Sequence, residues 1–189
     1  VNNFIYKFLP DLPAVPDEIV ATVDLELKPT RMELGYYHER TLTNWYGRNF
    51  TAVTNVRIKN PAFSDWVEKN ITVDMNDAGV NYAVYNRDTG QGLELSTGAH
   101  TDGSRDFALL YIIKSGGDAV TTDFWQEKGQ PLRRPRRTQG EDPSLLELVE
   151  SVHIPERTWI MLEGRILHSV EHLTETRIGF QVSFDHCPW

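Results

Sequence analysis

The sequence predicts a mainly β fold, a sandwich or barrel of antiparallel strands with helices confined to the N-terminal side. From about Val80 the chain breaks into short apolar or alternating runs, "VNYAVY", "FALLYII", "VTTDFW", "LLELVESVHI", "PERTWIML", "ILHSV" and "TRIGFQVSF". Turn-forming stretches such as "NRDTGQG" and "KSGGD" punctuate them, as in all-β domains. Helical spacing shows only upstream of Val80, and no fixed-period repeat or compositional break marks a second unit. Residues 1–189 therefore read as a single domain, with a helical and β flank over 1–79 and a β core over 80–187.

In chain order, "PDEIVATVDLEL" from Pro16 places proline at a first-turn position with acids behind it, and Ile19, Val23 and Leu27 recur every fourth residue. That pattern predicts a helix. "NFTAVTNVRI" is rich in β-branched residues and predicts a strand. "PAFSDWVEKNI" from Pro61 repeats the helical logic, with Phe63, Trp66, Val67 and Asn70 marking a short helix. Within the β core, "KGQPLRRPRR" (Lys128 to Arg137) carries five of the nineteen basic residues. Its two prolines exclude a helix or central strand and predict a loop.

A length of 189 residues suffices for one well-buried domain, and 40% hydrophobic with 24% charged residues is ordinary globular composition. A net charge of −8 and a pI near 5.2 argue against broad binding of phosphate backbones. No apolar run is long enough for a transmembrane helix, and the first residues lack a basic-then-apolar signal pattern. The chain opens on Val1, which implies processing or trimming. One cysteine, Cys187, excludes an intrachain disulfide framework and fits a reducing, cytoplasmic setting. Oligomeric state is left open.

The chemistry gathers around "GAHTDGSRDF", where His100 and Asp102 flank a single threonine. On extended chain residues i and i+2 face the same way, so imidazole and carboxylate stand together. Such a pair can be a surface contact, a catalytic relay or two legs of a metal site. Downstream, His168 lies in "ILHSV", and nine residues later Arg177 opens "RIGFQVSF". A His-x-Asp pair followed by a distant His, then by an Arg on the next strand, resembles the Fe(II)- and 2-oxoglutarate-dependent oxygenases. "VHIPERTWIMLEGRILHSV", with its proline turn, apolar strand and glycine before the histidine, is most similar to the prolyl-hydroxylase-like branch.

The resemblance spans roughly Val80 to Phe184 and implies a double-stranded β-helix, the cupin-like jelly roll. It implies that His100, Asp102 and His168 bind Fe(II) and are the catalytic centre. Two imidazoles and one carboxylate suit an iron that must keep positions open for cosubstrate and O2. It implies further that Arg177 pairs the distal carboxylate of 2-oxoglutarate, for which a planar guanidinium offers two parallel hydrogen bonds. Tyr111 takes the place of a tyrosine on the same carboxylate, and Tyr85 of another near the cosubstrate. Arg177-Ile178-Gly179 departs from the family's common Arg-x-Ser, and the "NRDTGQGLELSTGA" spacer is longer than usual. The implied activity is hydroxylation of a C–H bond in a peptide residue or a small amino-acid-like substrate, releasing succinate and CO2, with ascorbate an optional reductant.

His38, His153, His172 and His186 read as surface or packing residues. Trp125 and Arg105 read as substrate-side residues, and the basic loop as a mobile, substrate-facing lid. Two other functions fit the pattern less well. The basic loop motivates a nucleic-acid demethylase of the same superfamily, against which the acidic balance argues. A non-catalytic jelly-roll module that keeps the metal without turnover has no need of both the triad and Arg177.

Overall fold

The computed structural model of the chain describes residues 4–26, 37–39, 42–43, 49–50, 53–71, 74–85, 96–140 and 142–188. The strands are β1 (Tyr6–Phe8), β2 (Tyr37–Glu39), β3 (Leu42–Thr43), β4 (Asn49–Phe50), β5 (Val53–Lys59), β6 (Asp77–Tyr85), β7 (Phe107–Lys114), β8 (Thr121–Glu127), β9 (Leu146–Val152), β10 (Trp159–Glu163), β11 (Leu167–Glu171) and β12 (Arg177–Phe184). Two α-helices accompany them, α1 (Asp17–Val20) and α2 (Pro61–Asn70). The mainly β expectation holds. A seven-stranded sheet runs β1-β10-β7-β12-β6-β5-β2, a three-stranded sheet runs β11-β8-β9, and β3 pairs with β4.

Parity along the large sheet separates two environments. Val80 and Tyr82 of β6, Phe107, Leu109 and Tyr111 of β7, and Ile178, Phe180, Val182 and Phe184 of β12 belong to one apolar core. Helix α2 closes that core. Asn60 caps it, its side chain accepting from the Phe63 N–H at 3.0 Å, and Pro61 takes the first turn, where no N–H is needed. Its Phe63 ring stacks on Phe180 with centroids 4.1 Å apart. Burying each of these rings contributes on the order of 2–3 kcal/mol. The opposite parity, Asn81 and Ala83, Ala108, Leu110 and Ile112, and Arg177, Gly179 and Gln181, faces the small sheet across a cavity. Beside the cavity, Ile112, Ile160 and Leu162 meet Phe124 and Val152 of the small sheet in a second core.

Two expectations for the flank change. The helix from Pro16 lasts only from Asp17 to Val20, because the Thr22 hydroxyl bonds the Ile19 carbonyl at 2.6 Å and Asp24 turns the chain by accepting from the Glu26 N–H. The boundary at Val80 also falls inside a strand, since β6 already begins at Asp77, and β1, β2 and β5 of the flank belong to the same large sheet. Most of the spacer after Tyr85, residues 86–95, and the side chain of His38 lie outside the described residues.

Candidate metal centre and its cavity

His100 sits in an extended segment tied on both sides. Its N–H donates to the His168 carbonyl at 3.0 Å, and the His168 N–H returns a bond to the His100 carbonyl at 2.9 Å. The next residues continue the ladder, Thr101 N–H to Thr138 O at 2.9 Å and Asp102 N–H to Gly164 O at 2.8 Å. His100 is thus bridged on one side to His168 of β11 and on the other to Gln139, and His168 is delivered to it by the register of β11 on β8, where it stands opposite Phe124.

The three side chains converge. Their ligand atoms lie within 4.8 Å of one another, and among the described residues this is the one group of three such side chains. His168 Nε2 is 4.0 Å from Asp102 Oδ1, and the imidazole centroids are 4.7 Å apart. Each ring has its Nδ1 on a main-chain carbonyl, Gly98 O at 2.8 Å for His100 and Ile166 O at 2.9 Å for His168. A carbonyl partner calls for a proton on each Nδ1, which makes Nε2 the ring nitrogen that would face a cation, the arrangement of metal-ligating histidines. Two such nitrogens and a carboxylate fit a divalent transition metal.

Asp102 is almost fully enclosed. Burial alone would raise its pKa, but Arg105 together with His168 and His100 outweighs burial and holds it below the usual carboxylate range. Arg105 grips both oxygens, Nε to Oδ2 and Nη2 to Oδ1, each at 2.7 Å. A carboxylate has about four lone-pair sites, so that clamp orients Asp102 and leaves capacity for a cation. Gly164 makes the room: a Cβ there would stand 2.7 Å from Asp102 Oδ2.

The triad opens into a cavity of about 570 Å³ between the sheets, within the roughly 300–1,000 Å³ range of small-molecule sites. Arg177 reaches into it from β12. Among the described residues its guanidinium makes one hydrogen bond, a long one from Nη1 to Thr122 Oγ1 at 3.4 Å, and burial depresses its pKa to about 10. Among the described residues no carboxylate pairs with it. A buried guanidinium without a counter-charge carries a desolvation cost that an anionic partner would offset.

The two tyrosines are placed otherwise. Tyr111 stands opposite Phe180 in the β7–β12 register and therefore shares the face of the apolar core. Its ring meets Trp159 at 4.8 Å, and its hydroxyl bonds the main chain at Val15. It cannot reach a ligand of Arg177, and the hydroxyl near that guanidinium is Thr122. Tyr85 shares the parity of Asn81 and Ala83 but packs with Ala83, Val120 and Leu173, outside the cavity lining. Trp125 gives its Nε1–H to Ser169 and is likewise no lining residue, whereas Arg105 is one.

The basic loop is not a free lid. Arg133 pairs with buried Glu163, Arg134 with Glu127, and Arg136 with Asp106 and Asp185. Its main chain is stitched to the site as well, Arg134 N–H to Arg165 O at 2.8 Å and Arg137 N–H to Asp102 O at 3.2 Å. Only Arg137 of the four arginines lines the cavity. Arg57, Asn81, Thr122 and Gln181 are lining residues that the sequence reading passed over. For Gln181 a signal existed, a polar residue of Arg177 parity on the same strand. Compared with protein-family models and with curated proteins, the chain matches none.

Proposed function

We propose that the chain is an Fe(II)- and 2-oxoglutarate-dependent dioxygenase of the double-stranded β-helix type, hydroxylating a C–H bond of a small amino-acid-like or peptide substrate. The observation that carries this reading is the pairing in one cavity of a two-histidine, one-carboxylate triad with a buried, unpaired arginine. Iron bound at His100, Asp102 and His168 would supply oxygen activation coupled to decarboxylation of the cosubstrate. The chain's own part is positional. Gly98 and Ile166 carbonyls orient the imidazoles, Arg105 orients Asp102, and Arg177 with Thr122 receives the distal carboxylate of 2-oxoglutarate. The two facing sheets keep the reacting groups away from bulk water.

The nucleic-acid alternative loses its motive, since three of the four loop arginines are committed to acids of the chain itself. The test is succinate release from 2-oxoglutarate in the presence of Fe(II). Turnover is expected to require added iron, to disappear in His100→Ala and His168→Ala, and to show a KM for 2-oxoglutarate raised about a hundredfold in Arg177→Gln, for the loss of a buried charged partner. Succinate release that survives loss of either histidine would overturn the proposal.

A further inference from the structure

The cavity has a second arginine-lined end, and among the described residues two of its donors have no partner. Arg57 reaches it from β5. Its Nε pairs with Asp77 Oδ2 at 2.9 Å and its Nη2 makes long bonds to Gln181 O and Ser183 Oγ at 3.3 and 3.4 Å, but Nη1 is buried with no partner. Gln181 Nε2 is buried with no partner as well. Unpaired buried N–H groups are rare and each calls for an explanation. Here two of them belong to lining residues joined to one another, with Arg105 close enough to Arg57 that its charge, after burial, helps push the Arg57 pKa down to about 10. Arg137 adds a fourth arginine to the lining and holds an uncommon left-handed φ of 65° beside the His-x-Asp segment.

The lining thus holds four arginines against one carboxylate, Asp102. A divalent ion shared by Asp102 would increase the positive surplus further. Arg177 and Gln181 lie on the same face of β12 four residues apart, roughly 13 Å of extended strand. Arg177 and Gln181 therefore enter the cavity from separate positions along the strand, and Arg57 joins the Gln181 end through its bond to the Gln181 carbonyl. We infer that the Arg57, Arg105 and Gln181 end is the binding pole for the prime substrate, and that this substrate is a small molecule bearing a free carboxylate. A guanidinium N–H beside an amide N–H matches the two oxygens of a planar carboxylate. A guanidinium pairs phosphate as well as carboxylate, so inorganic phosphate is the competing probe in the test.

The inference rests on the oxygenase reading for the word substrate, and the experiment separates the two. Protein loaded with Mn(II) and saturating 2-oxoglutarate under nitrogen is titrated calorimetrically with the free amino acids, a series of short-chain carboxylic acids, the methyl ester of every acid that binds, and inorganic phosphate. At least one free acid is expected to bind, with its ester weaker by about ten- to hundredfold, the loss expected for hydrogen bonds to a charged group. Arg57→Gln should weaken that acid by a similar factor and leave 2-oxoglutarate affinity within about threefold, which also shows that the variant is folded. Arg57→Lys should recover part of the loss.

Esters that bind as well as acids, phosphate that outcompetes every acid, a panel with no binder, or an Arg57→Gln variant of unchanged acid affinity would each overturn the inference. The ester comparison needs no variant and survives any misfolding of one. If 2-oxoglutarate itself fails to bind, the oxygenase reading falls, while an acid that still depends on Arg57 and not on Arg177 sustains the pole as a carboxylate site.

Discussion

Arg177 shows how function and stability pull apart at a single residue. Its burial without a counter-charge depresses its pKa to about 10, a penalty on the order of 3 kcal/mol. The sign follows from linkage. The folded state disfavours the proton, so the penalty is present in full below pH 10 and fades as pH rises from there toward the ordinary arginine value. Replacing the guanidinium by an apolar chain of similar length removes that penalty. Arg177→Met in the ligand-free, metal-free protein is therefore expected to melt higher, by roughly 5–10 °C for a chain of this size, while losing 2-oxoglutarate binding. Calorimetric melting of the two proteins checks it. A lower melting temperature would make Arg177 a structural residue and remove the main support for the cosubstrate site.

Among the elements, the segment from Lys128 to Gln139 changes most between expectation and structure. Prolines excluded helix and central strand, and correctly so, but its ion pairs and main-chain bonds join it to residues some 7 to 50 positions away, which composition does not reveal. It walls the His-x-Asp segment on the side away from β11, with Gln139 bridging His100. Trypsin is accordingly expected to cut at Arg133, Arg136 and Arg137 only through global unfolding, so that the cleavage rate rises with urea in step with the unfolding equilibrium. Fast cleavage in native buffer, independent of urea, would restore the mobile lid. The strands themselves were legible from alternation and turn chemistry, and the convergence of His100, Asp102 and His168 from the order of these residues. Tyr111 shows the limit. In "FALLYIIK" nearly every residue is apolar, so the sequence does not say which parity faces the cavity, and the register opposite Phe180 decides it.

For the whole molecule, a net charge of −8 surrounds a cavity whose lining is cationic, a distribution that draws small anions inward while leaving the exterior repellent to polyanions. The same cavity has a consequence for how the chain folds. Strand β12 lies between β6 and β7, two strands that precede it in the chain and do not pair with each other. Nor can β10 close the sheet without β7, or β11 find a place without β8. Among the described residues, five of the nine strand pairings join segments more than 40 positions apart, and chains of that kind refold in milliseconds to seconds because loop-closure entropy must be met before the contacts form. Stopped-flow refolding by tryptophan fluorescence is expected to fall in that range, and a main phase faster than about a millisecond would contradict it. Until β12 inserts, β6 and β7 present open edges that neighbouring chains can capture, so the hazard of aggregation is greatest at that moment. Because β12 also carries Arg177 and Gln181, the cavity lacks these two lining residues before that insertion. No early intermediate can be rescued by ligand. An anion acts only on the finished sheet, slowing its unfolding rather than hastening its formation.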